Sequence, residues 1–152
     1  MAQSTELVVR TAAGFRTEIA ARGHTLVADE PSEFGGTDQG PTPYDYLAAA
    51  LGACTAMTIR LYADRRGWPL ESVTVRLRYG RVHEKDCEAC EAQAVGMDQI
   101  ERDVQLTGDL TPEQRLGLLR VADRCPVGQT LARGMRVLPA KETASPEGLP
   151  SA

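Results

Sequence analysis

The stretch from Thr42 to Gly67, TPYDYLAAALGACTAMTIRLYADRRG, has the form of one unbroken helix. Few other features constrain a chain of 152 residues as strongly. Thr42 suits the N-cap, Pro43 the first helical position, and Asp45 closes a Thr-x-x-Asp capping box. Gly67 and Pro69 end it. Leu47, Leu51, Cys54, Thr58 and Leu61 recur at steps of four and three and form the expected inward face. Apolar groups also spread beyond that stripe, to Tyr46, Ala49, Ala50 and Ile59. One small subunit does not easily cover so much, so the helix predicts a homodimer.

Strands flank this helix. TELVVRT, FRTEIAA and HTLVADE, separated at Gly14 and at Arg22-Gly23, read as an antiparallel meander. PSEFGGTDQGPTP, rich in Gly, Pro and Asp, is a loop. After the helix, LESVTVRLRYGRV alternates cleanly, with Val73, Val75, Leu77 and Tyr79 on one face and Thr74, Arg76 and Arg78 on the other. IERDVQLTGDL reads as a further strand. TPEQRLGLLRVADRC is a second capped helix with Thr111 as cap, Gln114 closing the box, and Leu116, Leu119 and Ala122 facing in. Pro126 stops it. VGQTLARG reads as a short helical turn and MRVLP as a last strand. Residues 139–152 have the composition of a disordered tail, leaving residues 1–138 as one domain. Helices and strands do not alternate regularly, which selects an α+β fold over a doubly wound parallel sheet.

Bulk properties narrow the function. A net charge of −4 without any basic block argues against nucleic acid. No wholly apolar run approaches the ~20 residues that span a bilayer, and the N-terminus lacks the pattern of a signal peptide. The expected location is the cytoplasm, with no membrane partner. Four cysteines there point to a redox site, a metal site or buried thiols more than to a disulfide framework.

The thiols read two ways. Cys54 lies 12 residues after the cap, ~18 Å along the helix, too far for the helix dipole to act on it. An ordinary thiol is only a few per cent thiolate at neutral pH. A reactive Cys54 therefore needs a cation from elsewhere, an Arg of the N-terminal strands or of a second chain; without one it is a core residue. Cys125 lies between two helical segments, one end disfavouring a thiolate and the other favouring it. His83, Cys87 and Cys90, in HEKDCEAC, have the spacing of a dithiol pair or of three zinc ligands. A structural zinc site wants four ligands, and the surrounding acids hinder thiolate chemistry. A surface dithiol or plain loop is the expectation, with no metal.

GGTDQGPTPYDYLAAALGACTAMTIRLYA and ADRCPVGQTL, whose cysteines lie 71 residues apart, together resemble the OsmC/Ohr superfamily of thiol-dependent hydroperoxide reductases. The OsmC-like branch, with its DEP…GG…GP.PY and DC..C segments, is the most similar. The resemblance covers roughly residues 5–138. It implies an α+β fold with two central helices packed against bent antiparallel sheets, in an intertwined homodimer. It implies that Cys54 is the peroxidatic thiol and Cys125 the resolving one, joined as a disulfide during turnover. It also implies an organic hydroperoxide substrate, a dithiol or lipoylated protein as reductant, and no cofactor. The alternative is a stress or binding protein that holds an apolar small molecule in the dimer cleft without turnover.

Three positions depart from the family pattern. Tyr44 stands where Ohr-type members carry a glutamate, and Asp45 beside it falls on the face opposite Cys54, as a cap rather than a catalyst. EPSEF stands where the family's activating arginine lies, so that Arg16, Arg22 or an arginine of the other subunit would have to serve. Gly128, three residues after Cys125, stands where close relatives often have histidine.

Overall fold

The computed structural model describes residues 6–82 and 97–142. Thus His83, Cys87 and Cys90, and most of the expected tail, lie outside the described residues. The chain forms two compact units, residues 1–46 with 136–152, and residues 47–135.

The first unit contains the expected meander: β1 (Leu7–Thr11), β2 (Thr17–Ala21) and β3 (His24–Ala28) pair antiparallel in the order β1-β2-β3. Arg22 and Gly23, both with positive φ (50° and 82°), make the two-residue turn between β2 and β3, the left-handed pair that matches strand twist. The loop that follows contains a single 3₁₀ turn at Ser32–Phe34. The first turn of α1 (Pro43–Arg66) closes this unit, and the Tyr46 hydroxyl donates to the Val27 carbonyl at 2.6 Å. The box at the helix start is formed: Thr42 N–H and hydroxyl both reach the Asp45 carboxylate (2.9 and 2.8 Å), and Asp45 N–H returns to Thr42 Oγ1 at 3.2 Å. Asp45 is therefore a cap. The stretch MRVLP forms no strand. Val137 is 89 % exposed, and the segment finds no neighbouring strand among the described residues.

The second unit holds the rest of α1, the strands β4 (Ser72–Val82) and β5 (Met97–Thr107), and the helices α2 (Pro112–Ala122) and α3 (Pro126–Arg133). β4 and β5 pair antiparallel over eleven residues, from Ser72↔Thr107 to Val82↔Met97. Val73, Val75 and Leu77 alternate half-buried with exposed Thr74, Arg76 and Arg78, as the pattern predicted, whereas Tyr79, expected on the inner face, is exposed. The core gathers Ile59 and Ala63 of α1, Leu118 and Ala122 of α2, and Leu70 and Leu110, with Tyr62, Trp68, Val73, Val104 and Leu106 packed around them. By length and composition alone α1 is long and apolar enough to cross a bilayer, a test that a core helix also passes. Ile59 and Ala63 instead pack in this core, and Arg60 and Asp64 form an ion pair on the same helix.

α1 and α2 each bury a face rotated from the one predicted, sharing Leu51 and Ala122 with it. On α1 the buried residues are Ala48, Leu51, Gly52, Thr55, Ile59 and Ala63, while Leu47 and Leu61 are exposed. Small residues decide this. A Cβ on Gly52 would stand 2.7 Å from Leu77 Cδ1, so the helix seats against the sheet where it has no side chain. On α2, Leu118, Val121 and Ala122 are buried and Leu116 and Leu119 exposed. Arg115 sets that rotation: its guanidinium donates to the Leu106 and Gly108 carbonyls (2.9 and 3.0 Å) at the end of β5. Periodicity located both helices but could not see these polar and steric anchors.

Candidate active site

Three segments of the second unit converge on two sulfurs. The middle of α1 brings Cys54 and Thr55, β5 brings Arg102, and the junction of α2 and α3 brings Cys125. The junction is set locally. Proline disfavours helical geometry in the residue before it, and Cys125 is accordingly extended (φ −61°, ψ 134°), with Pro126 at the first position of α3. Cys125 thus becomes the N-cap of α3. Its Sγ accepts the Gly128 N–H at 3.3 Å, where a capping hydroxyl or carboxylate usually sits. The preceding N–H, of Val127, points to Cys54 Sγ at 3.5 Å. Two thiols far apart in sequence therefore sit on consecutive N–H groups of one helical turn. Both are free; Cys125 is wholly buried and Cys54 half-buried. The short turn expected here is a two-turn helix, and the Cys125 sulfur faces its donor end.

β5 brings a cation close to this site, Arg102, which is not among the arginines expected from the sequence. Arg102 Nη1 donates to Thr55 Oγ1 and to the Ala122 carbonyl, each at 3.1 Å, and Nη2 pairs with Asp123 at 2.9 Å. Thr55, also wholly buried, donates in turn to Cys125 Sγ at 3.4 Å. The guanidinium thus reaches Cys125 through one hydroxyl. A signal was present: Ile100, Arg102, Val104 and Leu106 occupy the inward positions of an alternating strand, and an arginine there is unusual enough to demand a partner. Arg16 is engaged within the first unit, by Glu18 at 2.8 Å and Gln39 at 3.1 Å.

Gly128 closes the site. A methyl group there would stand 2.9 Å from Cys125 Sγ and 3.4 Å from Leu51 Cδ1, so α3 approaches the sulfur only because residue 128 has no side chain. Among the described residues no cluster of three or more His, Cys, Asp or Glu forms a metal site.

The first unit has a polar centre of its own. The buried Asp29 carboxylate accepts the Thr37 hydroxyl (2.6 Å) and the N–H groups of Glu30, Thr37 and Gln39 (2.8, 3.2 and 3.2 Å). The Thr37 hydroxyl foremost, and then the three N–H groups, hold it below the usual carboxylate range against the opposing effect of burial. The same unit contains a cleft of about 420 Å³ lined by Val9, Phe15, Ile19, Ala28, Pro43 and Tyr46, among others.

A family model for OsmC-like proteins matches residues 36–138, more than half of the chain and the whole thiol site. The chain belongs to the OsmC-like family. Solved structures of that family share the fold. The OsmC-like protein of Mycoplasma pneumoniae superposes with a TM-score of 0.69 at 15 % identity, covering 87 % of this chain and 89 % of that one. An organic hydroperoxide resistance protein of Elizabethkingia anophelis, with thiocyanate bound, gives 0.64 at 17 % over 88 % and 91 %. The organic hydroperoxide resistance protein OsmC of Legionella pneumophila gives 0.60 at 20 % over 84 % and 88 %. None of the curated proteins matches the sequence. The α+β fold with antiparallel sheets expected from the sequence is thus the OsmC-like fold.

Proposed function

We propose that this OsmC-like protein is a thiol-dependent peroxidase that reduces organic hydroperoxides. The observation that carries this reading is the seating of Cys54 and Cys125 on adjacent N–H groups at the start of α3 (3.5 and 3.3 Å). Cys54, the less buried of the two, attacks the peroxide O–O bond as a thiolate, with an arginine of the second chain as its cation; the alcohol leaves and Cys54 becomes a sulfenic acid. Cys125 then displaces the sulfenic oxygen as water and forms the Cys54–Cys125 disulfide. An external dithiol or a lipoylated protein restores both thiols by exchange. No cofactor takes part. Organic rather than hydrogen peroxide is favoured by the apolar groups of α1 near Cys54, Leu51 buried and Leu47 and Leu61 exposed on the single chain. Those exposed residues, with Met57, Leu116 and Leu119, also support a homodimer, since a partner chain would take these large apolar side chains out of water. The cytoplasm, where thiol reductants are supplied, is the proposed location.

The test is consumption of an alkyl hydroperoxide with a dithiol as reductant. Turnover is expected, and oxidation without reductant should yield the Cys54–Cys125 disulfide in a peptide map. Absence of dithiol-dependent consumption overturns the reading. A second reading, a binding protein without turnover, is favoured by the apolar cleft of the first unit, whose volume of about 420 Å³ suits a small ligand. It predicts ligand retention undisturbed by loss of either thiol.

A further inference from the structure

The peroxidase reading gives Cys125 a task that its surroundings make difficult. It must attack the Cys54 sulfenic sulfur: a sulfur–sulfur bond forms, the Cys54 S–O bond breaks, and oxygen leaves as water with the hydroxyl proton and the proton that Cys125 loses. Negative charge therefore gathers on the Cys125 sulfur as its proton departs. That sulfur is wholly buried, and no bulk water solvates it.

Two donors replace the water. One is the Gly128 N–H at 3.3 Å. The other is the Thr55 hydroxyl at 3.4 Å, and its direction is fixed by Arg102. A guanidinium has donors and no acceptor, so Thr55 Oγ1 must accept from Arg102 Nη1. The one hydroxyl hydrogen is then free to point at Cys125. A hydroxyl that accepts from a cation is polarised into a stronger donor. The guanidinium is itself held by the Ala122 carbonyl and by Asp123, whose side chain is 76 % exposed and so screens the charge only weakly.

We propose that Arg102 and Thr55 form a donor relay that positions Cys125 and supplies a hydrogen bond to its sulfur in the resolving step. Both are positioning residues, and the inference rests on the peroxidase reading. It places Arg102 at the second chemical step, on the side of Cys125, apart from the cation that Cys54 requires.

The relay is tested by following single turnovers, with sulfenic acid trapped chemically and the disulfide read by peptide mapping. Thr55→Val keeps the shape and removes the donor. It is expected to slow disulfide formation about tenfold more than it slows sulfenic acid formation. Thr55→Ser restores the hydroxyl and should bring the disulfide rate back to within about twofold. Equal slowing of both steps, an unchanged disulfide rate, or failure of the serine variant to rescue overturns the relay. A second measurement does not depend on peroxide. In reduced protein with Cys54, Cys87 and Cys90 replaced by serine, the infrared S–H stretch of Cys125 reports the hydrogen bonds at that sulfur. Thr55→Val must move the band and Thr55→Ser must return it; a band that stays in place overturns the relay. If wild-type protein fails to oxidise while the band moves as expected, the peroxidase reading falls and the hydrogen-bond relay stands.

Discussion

The starts of α1 and α3 do the same structural work with different atoms. At α1 an oxygen cap is satisfied within four residues: Thr42 and Asp45 exchange three hydrogen bonds of 2.8 to 3.2 Å. At α3 the cap is a sulfur, Cys125, and the next N–H goes to a second sulfur from α1. Sulfur is a weak acceptor, and serine or aspartate in its place would cap more firmly. One helix start is built for stability from its own sequence. The other gives its donors to two thiols, one of them 73 residues away from the N–H that it accepts. Under the proposed peroxidase reading, chemistry and not stability sets the residue type at this cap.

Replacing the thiols breaks this comparison most severely. Cys54→Ser should abolish the first reaction with hydroperoxide, since a serine hydroxyl is barely ionised at neutral pH. Cys125→Ser should consume about one equivalent and stall at a sulfenic acid open to over-oxidation. The same change installs a better cap on α3, so unfolding by urea should show stability retained while turnover is lost. Loss of the first oxidation step in both variants would return Cys54 to the role of a core residue.

Next in size is the closure of α3 on Cys125. Helix propensity favours alanine over glycine by about 1 kcal/mol. At residue 128 the added methyl would meet Cys125 Sγ at 2.9 Å, and overpacking of this kind costs about 1–3 kcal/mol. The sulfur is held by its own cap bond and cannot yield freely. Gly128→Ala should therefore destabilise by about 1 kcal/mol net and slow disulfide formation. A more stable variant with an unchanged disulfide rate would show that α3 is free to withdraw.

The oxygen-capped start gives the matching control. Thr42→Ala should cost about 1 kcal/mol in urea unfolding, with the rate of Cys54 oxidation unchanged. A lowered oxidation rate would mean that the first turn of α1 is coupled to the thiols, and that the two helix starts are less separate in function than in construction.

What could be read from the sequence follows the same division. The meander, the two capped helices and the alternation of β4 are legible because each is fixed by residues within a few positions of one another: the turn at Arg22-Gly23, the box at Thr42 and Asp45, the box at Thr111 and Gln114. The buried faces of α1 and α2 were misjudged because distant residues set them, Leu77 against Gly52 and the Leu106 and Gly108 carbonyls against Arg115. The roles proposed for Cys54 and Cys125 come only from family resemblance, since spacing alone left both open; their seating on adjacent N–H groups could not be read from the sequence. Arg102 was missed because its partners, Thr55 and Ala122, lie 47 and 20 residues away. MRVLP has the alternation of a strand, but a strand needs an edge to join, and none of the described strands pairs with it.

The smallest effect concerns the loop that leads into α1, and it is silent at neutral pH. Asp29 accepts four hydrogen bonds there, and its own N–H donates to the Pro41 carbonyl at 3.2 Å, just before the Thr42 cap. Its folded-state pKa is lowered, chiefly by the Thr37 hydroxyl. In the unfolded chain it returns to about 3.9. A depressed carboxylate binds its proton more readily when unfolded, so its contribution to stability is fully present above about pH 3.9 and is lost as pH falls through the lower folded value. Acid should therefore loosen the loop, and with it the approach to the capping box, while at the start of α3 the exposed Asp123 carboxylate pairs with Arg102, and the Val127 and Gly128 N–H groups go to sulfur. Amide hydrogen exchange compared at pH 6 and at pH 3 tests this. The Thr37 and Gln39 N–H groups should lose protection in acid, beyond the general change of exchange rate, and the Val127 and Gly128 N–H groups should not. Thr37→Val removes the strongest donor to Asp29 and should move that loss of protection to higher pH. Equal loss at both helix starts would mean that acid acts on the molecule as a whole and not through Asp29.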